Sequence, residues 1–229
     1  MNVSAIIQAR MSSRRLPGKV MRQVNGKPML QYLLDRLKKS KRISKIIMAT
    51  STDRSDQEIF DYCQKNQIEC FRGPLENVAK RYKEAIEHYG VDGFIRICGD
   101  SPLIDADLID GGIERFLKGE HDIITNLLKH TFPSGQNFEI LKSDVFIKSY
   151  SDFKEEDDFE HVTLYFYKNA PKFRIYNIVA DDNYSDINLC VDTLEDFDVF
   201  TNILQKMEKP FIDYNWQDLI EIYKSVKNN

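Results

Sequence analysis

Residues 4–19 read Ser-Ala-Ile-Ile-Gln-Ala-Arg-Met-Ser-Ser-Arg-Arg-Leu-Pro-Gly-Lys, and they decide the fold. Val3 to Ile7 is a short apolar run, the pattern of a buried strand. It breaks into a loop carrying Arg10, Arg14, Arg15 and Lys19, with Ser12, Ser13 and Gly18 among them. In open α/β sheets ligands bind outside the C-terminal ends of strands, so the cations stand at a ligand-binding edge. Guanidinium forks, an ammonium and backbone N–H groups together match several phosphate oxygens, and triphosphate is the first candidate. A basic loop is more commonly a solvated surface. Here Pro17 fixes its own φ and Gly18 permits φ > 0, a stiff turn that aims Lys19. The loop is not a P-loop: Val20 follows Lys19 where that motif needs Ser or Thr, and its first glycine falls on Ser13.

The rest of the chain narrows the class. Its 229 residues, 42% apolar and 30% charged, fit one α/β domain spanning 1–229, with a nucleotide-binding part at 1–125 and a less regular lobe near 130–180. No apolar stretch approaches the ~18 residues that span a bilayer. The first apolar run lacks a cleavage-site pattern, so a cytoplasmic protein without membrane association is expected. Cys63, Cys70, Cys98 and Cys190 form no C-x-x-C pair, and the four histidines no H-x-x-x-H arrangement, which favours free thiols over zinc or disulfides. Net charge is −4, yet residues 10–45 hold twelve Lys or Arg against Asp35 alone, a local +11 that leaves −15 on the remainder. That split argues against a nucleic-acid binder and for a focused anion pocket with acids free to bring in a cation. Lys38, Lys39, Lys41 and Arg42 belong to the end of an expected helix, where they suit its dipole.

Strand and helix alternate to about residue 125, as in a mostly parallel sheet flanked by helices. Asn25-Gly26 is a turn, and Pro28 opens a helix with Leu30, Leu33, Leu34 and Leu37 on one stripe. Strands are expected at 43–49, 68–71 and 94–98, and helices at 55–66, from Val78 to Tyr89, and from an Asp105 cap to Lys118. Beyond lie strands at 121–125, 137–141, 173–179 and 188–191. Helices fall near 142–150 and, after an acidic stretch at 152–160 read as a solvated face, through Lys168. Two C-terminal helices follow, the first carrying Leu194, Phe197, Phe200 and Leu204.

Asp100 and Asp192 each follow an apolar strand, in Ile-Cys-Gly-Asp and Leu-Cys-Val-Asp. Two carboxylates beside a triphosphate suit Mg²⁺, which takes one or two acids plus phosphate oxygens and water. An aspartate in that position equally makes a turn or caps a helix. Ser51-Thr52-Asp53 and Arg72-Gly73 stand at strand ends, where they line a base or ribose or are ordinary loops. His161 sits on an expected helix, a surface position more readily than a general base.

These segments resemble the acylneuraminate and Kdo cytidylyltransferases, most of all their SpsF-like branch of spore-coat polysaccharide biosynthesis. The likeness lies in residues 6–19 with Asn-Gly-Lys-Pro-Met-Leu after them. Ala-Thr-Ser-Thr-Asp (49–53), Phe-Arg-Gly (71–73), Arg-Ile-Cys-Gly-Asp-Ser-Pro-Leu-Ile-Asp (96–105), Glu-His-Val-Thr (160–163) and Val-Asp-Thr-Leu-Glu-Asp (191–196) follow in the family's order. The resemblance implies a Rossmann-like nucleotide-diphospho-sugar transferase fold and transfer of CMP from CTP with release of pyrophosphate. It implies Lys19, Arg15 and Asp100 as catalytic. Ala9, Arg10, Met11, Ser12, Ser13, Arg15, Lys19, Thr52, Asp53, Arg72, Cys98, Gly99 and Asp100 would bind the nucleotide. Mg²⁺ would lie on Asp100 and Asp192, and Asn137, Glu139, Glu160 and His161 would meet the acceptor. Cys98 stands where relatives often have Gln or Thr, Phe159 where this branch often has Arg, and Asn137 where an acid is common.

The expected activity is thus a cytidylyltransferase acting on CTP and a small acceptor (a sugar, sugar acid or phosphorylated alcohol), as a homodimer through the irregular lobe. A UTP- or GTP-dependent enzyme or glycosyltransferase of the same fold, or a non-catalytic nucleotide-sugar binder, are the alternatives. Retention of both Asp100 and Asp192 argues against the last.

Overall fold

In the computed structural model, which describes residues 1–227, β1 (Val3–Gln8) runs into the cationic loop and a single turn of 3₁₀ helix at Lys19–Met21. A two-stranded ribbon, β2 (Gln23–Val24) and β3 (Lys27–Pro28), turns at Asn25-Gly26 and delivers the chain to α1 (Met29–Leu37). Then come β4 (Lys45–Ser51), α2 (Gln57–Lys65), β5 (Glu69–Gly73), α3 (Val78–Tyr89), β6 (Gly93–Cys98) and α4 (Ala106–Leu117). The lobe adds β7 (Ile123–Thr125), β8 (Glu139–Lys142), α5 (Ser143–Tyr150), α6 (Glu156–Glu160), α7 (Leu164–Lys168) and β9 (Ile175–Asn177), and α8 (Leu194–Gln205) and α9 (Trp216–Lys227) close the chain.

One seven-stranded sheet has the order β5-β4-β1-β6-β8-β7-β9. β5, β4, β1 and β6 pair in parallel, and β8 runs antiparallel to both neighbours. The mostly parallel α/β architecture read from the sequence is therefore present. Period-two alternation splits the core: Ile7, Met48 and Ile95 pack toward α1, α4, α8 and α9, while Ile6, Ile47 and Phe94 pack toward α3, α5 and α7. Gly112 on α4 lets that helix close on the sheet, because a β-carbon there would lie 2.7 Å from the Phe138 ring. Gly112→Ala is expected to cost about 1–3 kcal/mol by overpacking. A thermal melt checks this, with a midpoint several degrees lower expected.

Five expectations need correction. The helix expected through Lys168 is broken, and His161 lies in the turn between α6 and α7, where Val162 sits at φ 54°. Residues 188–191 form no strand; a single bridge joins Asn188 to Ser134, because their amides serve loops instead. Leu189 N–H donates to Ser134 O (2.8 Å) and Val191 N–H to Asp100 O (2.9 Å). The acidic stretch is not merely solvated: it forms α6, Asp158 is buried, and its carboxylate bonds Lys168 Nζ at 3.0 Å and caps the helix. β9 keeps only three residues of the expected seven. Leu194, expected on the buried stripe of α8, is exposed.

Candidate functional site

The loop after β1 is built before it binds anything. Gly18 adopts φ 69°, and its N–H closes back on Met11 O at 2.8 Å. Buried Asp56, at the start of α2, accepts from Met11 N–H (2.6 Å) and from the Ser51 backbone and hydroxyl, tying this loop to the end of β4. Lys19 is consequently held at 7% exposure, its ammonium turned inward.

Two carboxylates meet that ammonium. Lys19 Nζ lies 2.8 Å from Asp192 Oδ1 and 3.1 Å from Asp100 Oδ2, and Arg15 Nη2 lies 2.7 Å from Asp192 Oδ2. The two acids are far apart in sequence and converge because the Val191 N–H to Asp100 O bond laces one loop to the other. Asp196 fixes the second by accepting from the Asp192 and Thr193 N–H groups at the start of α8. Burial works against the charge on Lys19, but Asp100 and Asp192 outweigh it and raise the ammonium above its ordinary pKa.

This cluster forms one end of a cavity of about 410 Å³, large enough for a single small-molecule ligand. Gln8, Arg96, Cys98 and Gly99, at the C-terminal ends of β1 and β6, line its floor; Ala9, Arg10, Ser13 and Arg14 form the loop side. Val78 and Arg81 of α3 and Glu160 and His161 of the lobe complete the wall. Six cations (Arg10, Arg14, Arg15, Lys19, Arg81, Arg96) face three carboxylates (Asp100, Glu160, Asp192), a surplus of three positive charges that suits a polyanion. Arg10 stands 4.0 Å from Glu160 across the mouth. Burial pushes the Cys98 thiol up to about 11, with the Arg96 guanidinium acting the other way.

Among the described residues no group of three or more His, Cys, Asp or Glu side chains is arranged to hold a metal ion. Asp100 and Asp192 nevertheless already share one cation, the Lys19 ammonium, and two carboxylates with room for phosphate oxygens and water are an oxygen-donor set that fits Mg²⁺.

Of the residues expected at the site, Ala9, Arg10, Ser13, Arg15, Lys19, Cys98, Gly99, Asp100, Glu160, His161 and Asp192 border this one cavity. Others stand off it. Arg72 spends its donors on Ser51 O (2.8 Å), Gln57 Oε1 (2.6 Å) and Asp53 O (3.0 Å), holding the loop of Thr52 and Asp53 on β5. Met11 serves its own loop, with Ser12 beside it. Asn137 Oδ1 lies 3.1 Å from His130 Nε2, and Glu139 is buried beneath the floor on Arg96. Sequence reasoning missed Gln8, Val20, Val78, Arg81 and Arg96 as cavity residues. A charged residue in the apolar run Phe-Ile-Arg-Ile-Cys was the signal for Arg96; Arg81 had none beyond its helix position.

Comparison with known proteins gives consistent results. A family profile described as cytidylyltransferase matches residues 4–219. The spore coat polysaccharide biosynthesis protein SpsF of Bacillus subtilis is 32% identical over 225 residues, covering 95% of this chain and 92% of that protein. A 3-deoxy-manno-octulosonate cytidylyltransferase of Geotalea daltonii is 30% identical over 191 residues, 82% of this chain and 71% of that one. A solved cytidylyltransferase from Leptospira borgpetersenii superposes with a TM-score of 0.94 at 30% identity, over 100% of this chain and 96% of that one.

Proposed function

This chain belongs to the cytidylyltransferase family of CTP-dependent nucleotidyltransferases, and we propose that its cavity transfers CMP from CTP to an oxygen of a sugar or sugar-acid acceptor. The convergence of Asp100 and Asp192 on Lys19, at the ligand edge of the sheet, carries the reading. The acceptor oxygen attacks the α-phosphorus, the bond to the bridging oxygen breaks, and pyrophosphate leaves. Lys19, Arg15 and Arg10 bind the triphosphate, and Lys19 neutralises charge growing on the leaving oxygen from a fixed, desolvated position. Mg²⁺, held by Asp100 and Asp192, would supply Lewis-acid polarisation of the phosphoryl oxygens. Glu160 and His161, which line the lobe-side wall, would meet the acceptor, and one of them would take its proton. The names of the relatives favour a sugar acid such as 3-deoxy-manno-octulosonate and a role in surface polysaccharide synthesis.

The test is pyrophosphate release from CTP across a panel of sugar acids, sugar phosphates and polyol phosphates, with Asp100→Ala as control. Turnover of at least one acceptor, lowered on the order of 10²–10³-fold in the variant, is expected. Undiminished turnover by a folded Asp100→Ala protein would refute the assignment.

A further inference from the structure

Glu139 lies beneath the cavity and joins its floor to its lobe-side wall. It is 1% exposed, on β8, in register between Arg96 of β6 and Thr125 of β7. Its carboxylate accepts from three donors on three different segments. Arg96 Nη1 (2.8 Å) belongs to the cavity floor, Tyr167 Oη (2.8 Å) to α7, and Thr163 Oγ1 (2.5 Å) to the turn between α6 and α7. That turn is the strained point of the lobe. Val162 is fully buried at φ 54°, and the Thr163 N–H bonds back to His161 O, closing a three-residue turn. A β-branched residue at positive φ is an outlier that persists only when its surroundings over-determine it. Glu160 and His161, immediately before it, are the two lobe residues that face the cavity.

We propose that Glu139 is a positioning residue. Through Thr163 it clamps the strained turn that presents Glu160 and His161, and through Arg96 it registers that wall against the floor. It does not itself touch the acceptor, in place of the direct contact expected from the sequence. What the wall receives rests on the cytidylyltransferase reading; the clamp does not.

Three variants separate the clamp from general packing. Thr163→Val cuts the link to the turn together with the hydroxyl's longer contact to His161 O (3.3 Å). Glu139→Gln weakens the clamp but keeps that second contact, and should move exchange and acceptor KM the same way. Tyr167→Phe cuts the link to α7 and the pair with Thr125 Oγ1. Amide hydrogen exchange across residues 156–168 is measured on the whole protein, together with KM for CTP and for 3-deoxy-manno-octulosonate. In Thr163→Val, exchange at 161–163 is expected to quicken about tenfold and the acceptor KM to rise by a similar factor, with the CTP KM unchanged. Tyr167→Phe should leave both near wild type. Equal exchange at 161–163 in Thr163→Val and Tyr167→Phe, or equal acceptor KM in both, would overturn the proposal. Wild-type protein that turns over no acceptor would count against the cytidylyltransferase reading, and the exchange contrast would still decide the clamp.

Discussion

Lys19→Ala is expected to lower pyrophosphate release from CTP on the order of 10²–10³-fold, the effect of removing a preorganised charge-stabilising donor. The ammonium is almost buried, it is the cation between Asp100 and Asp192, and no other described cation bridges both acids. A second effect follows from the same contacts. Without the ammonium, the two carboxylates keep one ion-pair partner among the described residues, Arg15 on Asp192, itself largely exposed. The variant should therefore melt lower than wild type in chelator and recover part of the loss when Mg²⁺ is added. Arg15→Ala removes a single, solvent-screened pair and should disturb stability far less. The pKa of Lys19 is raised, so its stabilising charge is complete below the unfolded value and is lost only as pH climbs through the folded one, well into the alkaline range. Any change of rate between pH 6 and 8 must come from another group. Full activity in Lys19→Ala would contradict this account of the site.

Arg36→Met should produce the largest loss of stability. Arg36, on α1, is 3% exposed and donates to Ile104 O (2.5 Å), Phe211 O (2.8 Å) and Tyr214 O (2.9 Å). Burial pulls the pKa of the guanidinium down, with Asp105 and Asp107 acting the other way. It thus staples the turn before α9 to the loop that leads into α4. Asp105 completes that junction, capping α4 through Asp107 and Leu108 N–H and accepting from Trp216 N–H at 2.8 Å. Methionine keeps the bulk but strands three carbonyls, a cost of about 3–5 kcal/mol. In a chain of this size that corresponds to a melting temperature lower by on the order of 10 °C. A shift of about 2 °C or less would mean that water or a neighbour satisfies those carbonyls.

Legibility in the sequence followed the range of the physics. Helices α1, α3 and α4 were readable because their apolar stripes and caps are local: Asn77 accepts from Lys80 N–H, and Asp105 caps as expected. The parallel strands were readable as apolar runs. The cationic turn was too, because Pro17 and Gly18 constrain it within four residues. Residues 188–191 were misread because three apolar residues in a row, Leu189 to Val191, look the same whether their amides pair with a strand or lace two loops. The lobe blurred for a related reason. The break at Val162 is imposed by tertiary packing against local preference, and nothing in Glu-His-Val-Thr announces a positive φ. Cavity residues were found where they followed a strand end or lay in a segment resembling the family; Arg81 was missed because its exposure to the cavity depends on how α3 sits over the sheet.

The Lys19–Asp100–Asp192 cluster is proposed to receive the triphosphate of CTP. Its most direct test needs no acceptor: melting temperatures with CTP, UTP and GTP, each with Mg²⁺ or chelator, for wild type and Lys19→Ala. A ligand stabilises the folded state in proportion to its binding, so Mg²⁺-dependent stabilisation of wild type by CTP, absent with the other nucleotides and absent in the variant, is the predicted result. An equal shift in Lys19→Ala, or none from CTP in wild type, would contradict it.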